Sequence, residues 1–381
     1  MLPFLVLRLA ADLLPLVLDH TRLNQRRALF RQQLAARNDD RRLLSHAMIL
    51  AGMLLPILFA AFFDGAVFGT YVTETGPQHP QSRAFSTNWF VIGAERDLGR
   101  RGSILGRARF SLEPLTIPRE GYPQLFQYVS PRSGGPLVDA MRAHDLVEEV
   151  AVGLEWRPIQ LYLAPIGNPP LGAEPYAQRP SSIDFAEGPF TYDVQESFHL
   201  ATRVASVALT SRIADVEYGV FHASQSTGRH SSINDGKIDS WSARITIAPQ
   251  SKLSAQISSG RLTETKRKVS SASVSYNGKT FASSAIWTKQ DELTAYSFEM
   301  EVQLGRGTLL GRAENVRERT HTTVGYIFDV VRTRTQRAGV GLNVDYHSNT
   351  RVLQPVYGHK PQSVYMFVRW RTEGITRPAS P

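Results

Sequence analysis

The stretch QRAGVGLNVDYH, residues 336–347, alternates apolar and polar side chains with a period of two. This period places successive side chains on opposite faces of a β-strand, so one face of the strand is apolar and the other is polar. The pattern returns many times between residue 86 and the C-terminus, for example over residues 104–113 and 296–304. The chain is therefore predicted to be all-β.

The alternating runs are about ten residues long, whereas soluble strands average about 5–6 residues and membrane-spanning strands need about 9–11. Runs of this length with one apolar face are typical of transmembrane barrels, whose apolar side chains face outwards and whose lumen is polar. We predict a transmembrane antiparallel up-and-down β-barrel over residues 64–372. A soluble β-sandwich or barrel has the same period and is the alternative.

The links between the runs alternate in length, as in outer-membrane barrels, where short turns face the periplasm and longer loops face outside. About fifteen strands from Thr87 onwards, with one more around residues 65–73, give about sixteen in all. The short links are 98–102, 157–158, 211–214, 249–252, 277–279, 305–307 and 333–336. The longer links are 115–143, 166–193, 223–236, 262–267, 289–293, 316–321 and 348–361.

The N-terminal part of the chain differs from the rest. Residues 44–63 are largely apolar and follow Arg41 and Arg42, a pattern typical of a secretory signal with Ala60 and Ala61 near the cleavage point. A single membrane-spanning helix is the alternative, because about 20 apolar residues can cross a bilayer. Residues 1–43 are taken as an N-terminal extension without assigned function, and residues 373–381 as a C-terminal tail.

Composition and motifs exclude several functional classes. The chain has no cysteine, which excludes disulfides, cysteine-ligated zinc and thiol nucleophiles. Its net charge of +9 is not concentrated in a basic block, so no nucleic-acid partner is predicted. Nucleotide-binding fingerprints and the Gly-x-Ser-x-Gly elbow are absent from the sequence, so we predict no cofactor and no enzyme activity.

Charged residues on the polar faces of the predicted strands carry both signs. Two interpretations are open: a structural lattice of salt bridges inside the barrel, or a constriction that biases passing solutes by charge. The candidate lumen and selectivity residues are Arg107, Arg109, Glu299, Glu301, Arg312 and Glu314.

The longest link, 115–143, contains residues that are too apolar for a solvated loop, including Tyr122 and Phe126. A loop longer than about 12–15 residues is usually functional or disordered, and this composition argues against disorder. We predict a constriction loop that folds inwards, with His144 and Asp145 at its end, and keep an external cap as the alternative.

Several segments resemble an uncharacterised family of bacterial outer-membrane β-barrel proteins. They are AFSTNWFVIGAERDLG (84–99), RARFSLEPLT (107–116), GYPQLFQ (121–127), PLVDAMRAHDLVEEVAV (136–152), LYLAPIGNPPLG (161–172) and QRPSS (178–182). The resemblance covers residues 64 to about 372 and implies fold and location, but no activity. The family's His-Pro-His-Asp tetrapeptide falls on Arg142, Ala143, His144 and Asp145, and a later family histidine falls on His199.

No metal site is predicted, although His144, Asp145 and His199 are weak candidates if the loop returns to the following strand. We favour a His–Asp hydrogen bond that fixes the loop. The other histidines of residues 64–372 have no ligand spacing along the sequence: His79, His222, His230, His321, His347 and His359.

Together these patterns predict a barrel in the bacterial outer membrane that acts as a passive pore or binding channel for a small solute or ion. Its expected partners are outer-membrane lipid, lipopolysaccharide and the solute; the oligomeric state is left open. The alternatives are a lipid-acting barrel enzyme and a non-conducting scaffold or receptor barrel.

Overall fold

The computed structural model describes residues 60–75, 82–99, 101–118, 121–128, 139–141, 143–199, 201–223, 236–250, 252–263, 266–317, 319–348, 351 and 354–372. The predicted N-terminal extension, residues 44–59 of the signal-like stretch and the C-terminal tail lie outside the described residues. Within the described residues, no helix is long and apolar enough to cross a membrane.

Sixteen antiparallel strands form a closed barrel, which confirms the predicted fold class. The first strand of the barrel pairs with both the second and the last, and so closes the sheet. The barrel strands are β1 Ala60–Thr75, β2 Ser82–Asp97, β3 Gly102–Phe110, β6 Val147–Trp156, β7 Ile159–Gly167, β8 Ala201–Thr210, β9 Ala214–Ala223, β10 Ser240–Gln250, β11 Leu253–Leu262, β12 Arg267–Asn277, β13 Phe281–Gln290, β14 Leu293–Leu304, β15 Gly307–Val316, β16 Arg319–Arg332, β17 Gln336–Ser348 and β18 Gln362–Thr372.

The start of β1 differs from the predicted boundary at residue 64. The strand begins at Ala60, so residues 60–63 of the signal-like stretch are extended and paired with β2. Residues 60–63 are all apolar, so they lack the period of two that marks the other strands, and an apolar run does not by itself distinguish a strand from a helix.

Side-chain exposure follows the alternation in the sequence. On β17, Val340, Leu342 and Tyr346 are about half exposed, whereas Asn343 and Asp345 are fully buried. Apolar side chains therefore cover the outside of the barrel, and polar side chains line much of its inside. This is the reverse of a soluble barrel and rules out the soluble alternative.

The links alternate between the two ends of the barrel, but two links predicted to be long are tight turns. β13 ends at Gln290 and β14 begins at Leu293, while β15 ends at Val316 and β16 begins at Arg319. Asp291 and Arg317 adopt positive φ angles of 52° and 57°, the left-handed conformation that tight hairpin turns use. Residue type did not reveal these turns, because neither contains glycine.

The long links lie at the same end of the barrel as these two tight turns and contain short elements of their own. Residues 111–146 include α1 Glu113–Thr116 and a small sheet of β4 Tyr122–Tyr128 with β5 Asp139–Met141. Residues 168–199 include a 3-10 helix, Tyr176–Gln178, and α2 Tyr192–Gln195; α3 Gln354–Tyr357 precedes β18. A buried hydrophobic cluster joins Phe185 and Ala186 of the second link to Phe68, Leu310 and Phe367 of the wall. The core of the molecule therefore lies inside the barrel.

Candidate functional site in the barrel lumen

Residues 168–199, here called the lumen plug, cross the inside of the barrel. The plug enters the lumen at Gly172, whose φ of +75° suits glycine and whose N–H donates to Ser258 Oγ of β11 at 2.9 Å. Further on, Ser181 Oγ donates to Ser284 Oγ of β13 at 2.8 Å, and Thr87 Oγ1 of β2 donates to the Ala186 carbonyl at 2.7 Å. The plug thus reaches opposite sides of the wall.

Arg179 is the first charged anchor of the plug. It donates to Glu196 Oε1 within the plug at 2.7 Å and to the two carboxylate oxygens of Glu299 on β14 at 2.9 and 3.0 Å. Burial alone would lower the pKa of Arg179, but the carboxylates of Glu196 and Glu299 raise it above its ordinary value. The guanidinium is therefore charged and shared between plug and wall.

Arg312 of β15 supports the same region from the wall. Its guanidinium carbon lies 3.9 Å from the centroid of the Phe185 ring, and one of its nitrogens donates to Ser182 Oγ at 2.9 Å. Its Nε lies 3.4 Å from Glu299 Oε1, the register partner of Arg312 on β14. Arg312 therefore makes two contacts at once: an ion pair with the neighbouring strand and a cation–π contact with the plug.

Asp184 is the second charged anchor. Its carboxylate lies 2.6 Å from Arg369 and 3.0 Å from Arg371, both on β18, and its N–H donates to Glu301 Oε1 at 3.0 Å. Burial alone would raise the pKa of Asp184, but the two guanidinium groups lower it below its ordinary value. Asp184 is therefore ionised in the lumen.

The last part of the plug rests on β15 and β17. The N–H groups of Phe190 and Thr191 each donate to the Glu314 carboxylate at 3.0 Å. The Asn343 amide donates to Glu187 at 2.9 Å. Burial raises the pKa of Glu187 to about 8, and the carboxylate of Asp345 adds to this rise.

The six predicted lumen residues fall into two groups. Glu299, Glu301, Arg312 and Glu314 are at most 5% exposed, and all four contact the plug. Arg107 lies 2.7 Å from Glu149 on β6, and Arg109 pairs with Glu148 while stacking over Trp89 at 5.3 Å. The contacts match a salt-bridge lattice, but most partners of the first group come from the plug rather than from neighbouring strands.

The described residues 121–126 of the loop predicted as the constriction, 115–143, pack on the plug and on the wall beside it. Tyr122 stacks on Phe85 of β2 with ring centroids 4.2 Å apart, and its hydroxyl accepts from the Gly188 N–H at 2.9 Å. The Phe126 ring makes an edge contact with Phe190, at 6.5 Å between centroids. Tyr122 and Phe126 are buried, yet the segment that crosses the lumen is 168–199.

His144, Asp145 and His199 line one small cavity of about 60 Å³ together with Arg109 and Glu148. This volume has room for a few water molecules. The structure thus brings the three weak metal candidates together, but the guanidinium of Arg109 beside them opposes a bound cation.

The two histidines at this cavity differ in protonation. His144 Nδ1 lies 2.7 Å from Glu113 Oε2, so the loop is fixed through Glu113 of α1. Burial alone would lower the pKa of His144, but the Glu113 carboxylate raises it to about 9. Burial and the charge of Arg179 lower the pKa of His199 to about 3. His144 is therefore charged and His199 neutral near pH 7.

Sequence reasoning missed the anchoring residues of the plug: Arg179, Asp184 and Glu187. Their signal was a long link in which charges stand among the aromatic residues Phe185, Phe190 and Phe198. The same argument that marked 115–143 as too apolar for solvent applies to 183–198, most of which lies in the predicted long link 166–193.

Comparison with solved structures finds the fold of bacterial porins. An anion-selective porin from Comamonas acidovorans is similar, with a TM-score of 0.53 and 13% identity over 82% of this chain and 99% of that chain. A triple mutant of a Rhodopseudomonas blastica porin matches with a TM-score of 0.47 and 9% identity, over 82% and 100% of the two chains. The first likeness shows the fold alone, and the second, with its lower score, carries no argument. No protein-family model matches the chain, and no curated protein sequence matches it.

Proposed function

We propose that this protein is an outer-membrane β-barrel channel for a small solute or ion, whose resting state is closed by the lumen plug. The observation that carries the proposal is the set of buried charges on β14, β15 and β18 that hold Arg179, Asp184 and the 190–191 amides. Passage requires the plug to leave these partners.

The outer wall supports the proposed location. Its exposed side chains include Ile245, Ile257, Phe298, Tyr326 and Val368, which suit contact with lipid acyl chains. Short turns at one end and long loops at the other match the asymmetry of outer-membrane barrels, with the long loops facing outside. Outer-membrane lipid and lipopolysaccharide are therefore the proposed surroundings.

Single-channel conductance in a planar bilayer tests the proposal. We expect the wild-type protein to be mostly closed and the double variant Arg179→Gln/Asp184→Asn to open often. Breaking a buried ion pair by removing one partner costs about 3–5 kcal/mol, which corresponds to a rise in open probability of at least about a hundredfold.

Arg157→Gln is the matched control. Arg157 pairs with Glu155 at 3.1 Å, but its side chain is 45% exposed and belongs to the short-turn end. We expect its conductance to equal that of the wild type. Large continuous currents from the wild-type protein would show that the plug does not close the lumen. Insertion without current from any variant would favour a receptor, scaffold or enzyme.

A further inference from the structure

Three neighbouring strands bring a carboxylate and two imidazoles into one row on the inner face of the barrel. Glu314 of β15 is the register partner of His321 on β16, and His321 is the register partner of His347 on β17. Asp345 lies two residues before His347 and so shares its face. These four side chains are at most 5% exposed.

The donor atoms of this cluster are close together. His321 Nε2 lies 3.0 Å from Asp345 Oδ2, and one donor atom from each of His321, Asp345 and His347 lies within 4.8 Å of the other two. Two donors bound at about 2.0–2.1 Å to one ion stand about 2.9–3.4 Å apart at angles of about 90–110°. The donors of His321 and Asp345 already have this spacing. A side-chain movement of roughly 1.4 Å brings the donor of His347 to the same spacing.

His347 has unused donor capacity. Its side chain is 5% exposed, and within the described residues neither ring nitrogen has a hydrogen-bond partner. Its ring stacks on His321 with centroids 4.6 Å apart and an angle of 9° between planes. A buried polar group without a partner is costly, so most such groups in proteins bind something.

His321 is oriented as metal-binding histidines are. Its Nδ1 lies 2.9 Å from Glu314 Oε2, which leaves Nε2 directed towards Asp345. In protein metal sites, a carboxylate on the far ring nitrogen fixes the tautomer and raises the basicity of the ligating nitrogen. Glu314 is therefore a positioning residue for His321.

Aromatic residues from both inward loops enclose the cluster. Phe126 makes an edge contact with His347 at 5.3 Å, and Phe190 makes one with His321 at 5.7 Å between centroids. His347 is one residue from the end of β17, and His321 is two residues from the start of β16, so the cluster lies at the long-loop end. This enclosure limits the access of water to the cluster.

We propose that His321, Asp345 and His347 bind one divalent transition-metal ion inside the barrel. Two imidazoles and one carboxylate suit Zn²⁺ and its neighbours in the first transition row, whereas Ca²⁺ and Mg²⁺ prefer oxygen ligands throughout. The site connects β16 and β17 and contacts both inward loops. Its existence does not depend on whether the barrel conducts.

Zinc binding to the full chain in detergent, after treatment with a chelator, tests the proposal by isothermal titration. We expect one Zn²⁺ per chain, with an affinity that falls at least about a hundredfold in His321→Gln and in His347→Gln, because loss of a ligand exceeds the loss seen for outer partners. His222→Gln is the control, since His222 is a buried histidine on β9, and we expect it to bind zinc as the wild type does.

X-ray absorption on the zinc-loaded wild-type protein gives a readout that does not rely on folding of the variants. We expect nitrogen and oxygen ligands with scattering from two imidazoles. Absence of stoichiometric binding would overturn the proposal. So would bound zinc without imidazole ligands, or equal affinity in folded His321→Gln and His347→Gln proteins. Any of these three results would leave His321 as a partner of Glu314 and Asp345 alone.

Discussion

Arg179 joins two parts of the molecule through one buried charge, because its guanidinium is shared between Glu196 of the plug and Glu299 of the wall. A buried charge is tolerated only when it is paired and hydrogen-bonded. Such pairs add little net stability compared with apolar packing, but any position of the plug that leaves these buried charges unpaired is strongly disfavoured. The buried charges therefore give the plug one defined position in the lumen.

The His144–Glu113 pair makes loop docking depend on pH. Because the folded pKa of His144 is raised from 6.5 to about 9, its stabilising contribution is complete below pH 6.5 and is lost as the pH rises through about 9. We expect His144→Gln to reduce stability by up to about 3 kcal/mol at pH 6 and by much less at pH 10. Thermal unfolding of both proteins in detergent at the two pH values measures this difference.

An exposed histidine provides the control for that titration. His359→Gln should change the stability little at pH 6 and at pH 10, because the His359 side chain is exposed. A stability loss in His144→Gln that is equal at pH 6 and pH 10, or larger at pH 10, would contradict the role given to the pair. Glu148 and Arg109 also face His144, and their opposite charges act on it in opposite directions.

At the level of single residues, the sequence indicated which charges face inwards but not what they contact. Alternation along β14 and β15 placed Glu299, Glu301, Arg312 and Glu314 on one face. Their partners stand in a segment without periodicity, so no pattern could pair them. The sequence also did not indicate that His321 and His347 lie side by side. Their proximity comes from cross-strand register and not from spacing along the chain.

The plug is an element with little regular structure of its own. Its helices are three and four residues long, so most of its backbone polar groups need other partners. Carboxylates on β14 and β15 accept from the N–H groups of Asp184, Phe190 and Thr191. Carboxylate side chains of the wall thus accept the backbone hydrogen bonds that a neighbouring strand would otherwise accept.

We expect amide hydrogen exchange to reveal this element directly. Amides of residues 184, 190 and 191 should exchange slowly, as in the barrel strands, because they are buried and bonded to the wall. The exposed turn at residues 211–213 serves as the fast reference. Exchange of the plug amides at the rate of that turn, measured by mass spectrometry on the full chain, would show that the plug is not docked.

At the level of elements, strands were predictable and loop conformations were not. A strand carries its signal in every second residue, so about sixteen strands could be predicted from this alternation together with the rhythm of short and long links. The turns at Asp291 and Arg317 depend on positive φ angles at residues other than glycine, which composition does not reveal. The inward course of 168–199 depends on contacts that form only after the barrel closes.

At the scale of the whole molecule, the outside of the barrel is apolar and the inner face of its wall is largely polar. The inward loops fill the lumen. Phe185 and Ala186 pack on Phe68, Leu310 and Phe367 across the lumen, so the barrel has a core like that of a soluble domain. The same fold occurs in a porin at 13% identity. The placement of apolar and polar side chains, rather than particular residues, therefore determines this architecture, while the plug determines what the lumen can do.

The position of the plug can be tested by a cross-link, since the chain has no cysteine of its own. Ser181 Oγ of the plug and Ser284 Oγ of β13 are 2.8 Å apart. We expect Ser181→Cys/Ser284→Cys to form a disulfide rapidly and almost completely on mild oxidation, because sulfur atoms at these positions come within bonding reach.

Mass spectrometry of the oxidised, folded protein is the measurement, with Ser259→Cys/Ser270→Cys, a pair on adjacent strands 3.4 Å apart, as the positive control. Quantitative linkage of residues 181 and 284 in the monomer is the result expected if residues 168–199 cross the lumen. Linkage of the control pair without any bond between 181 and 284 would contradict a lumen closed by residues 168–199.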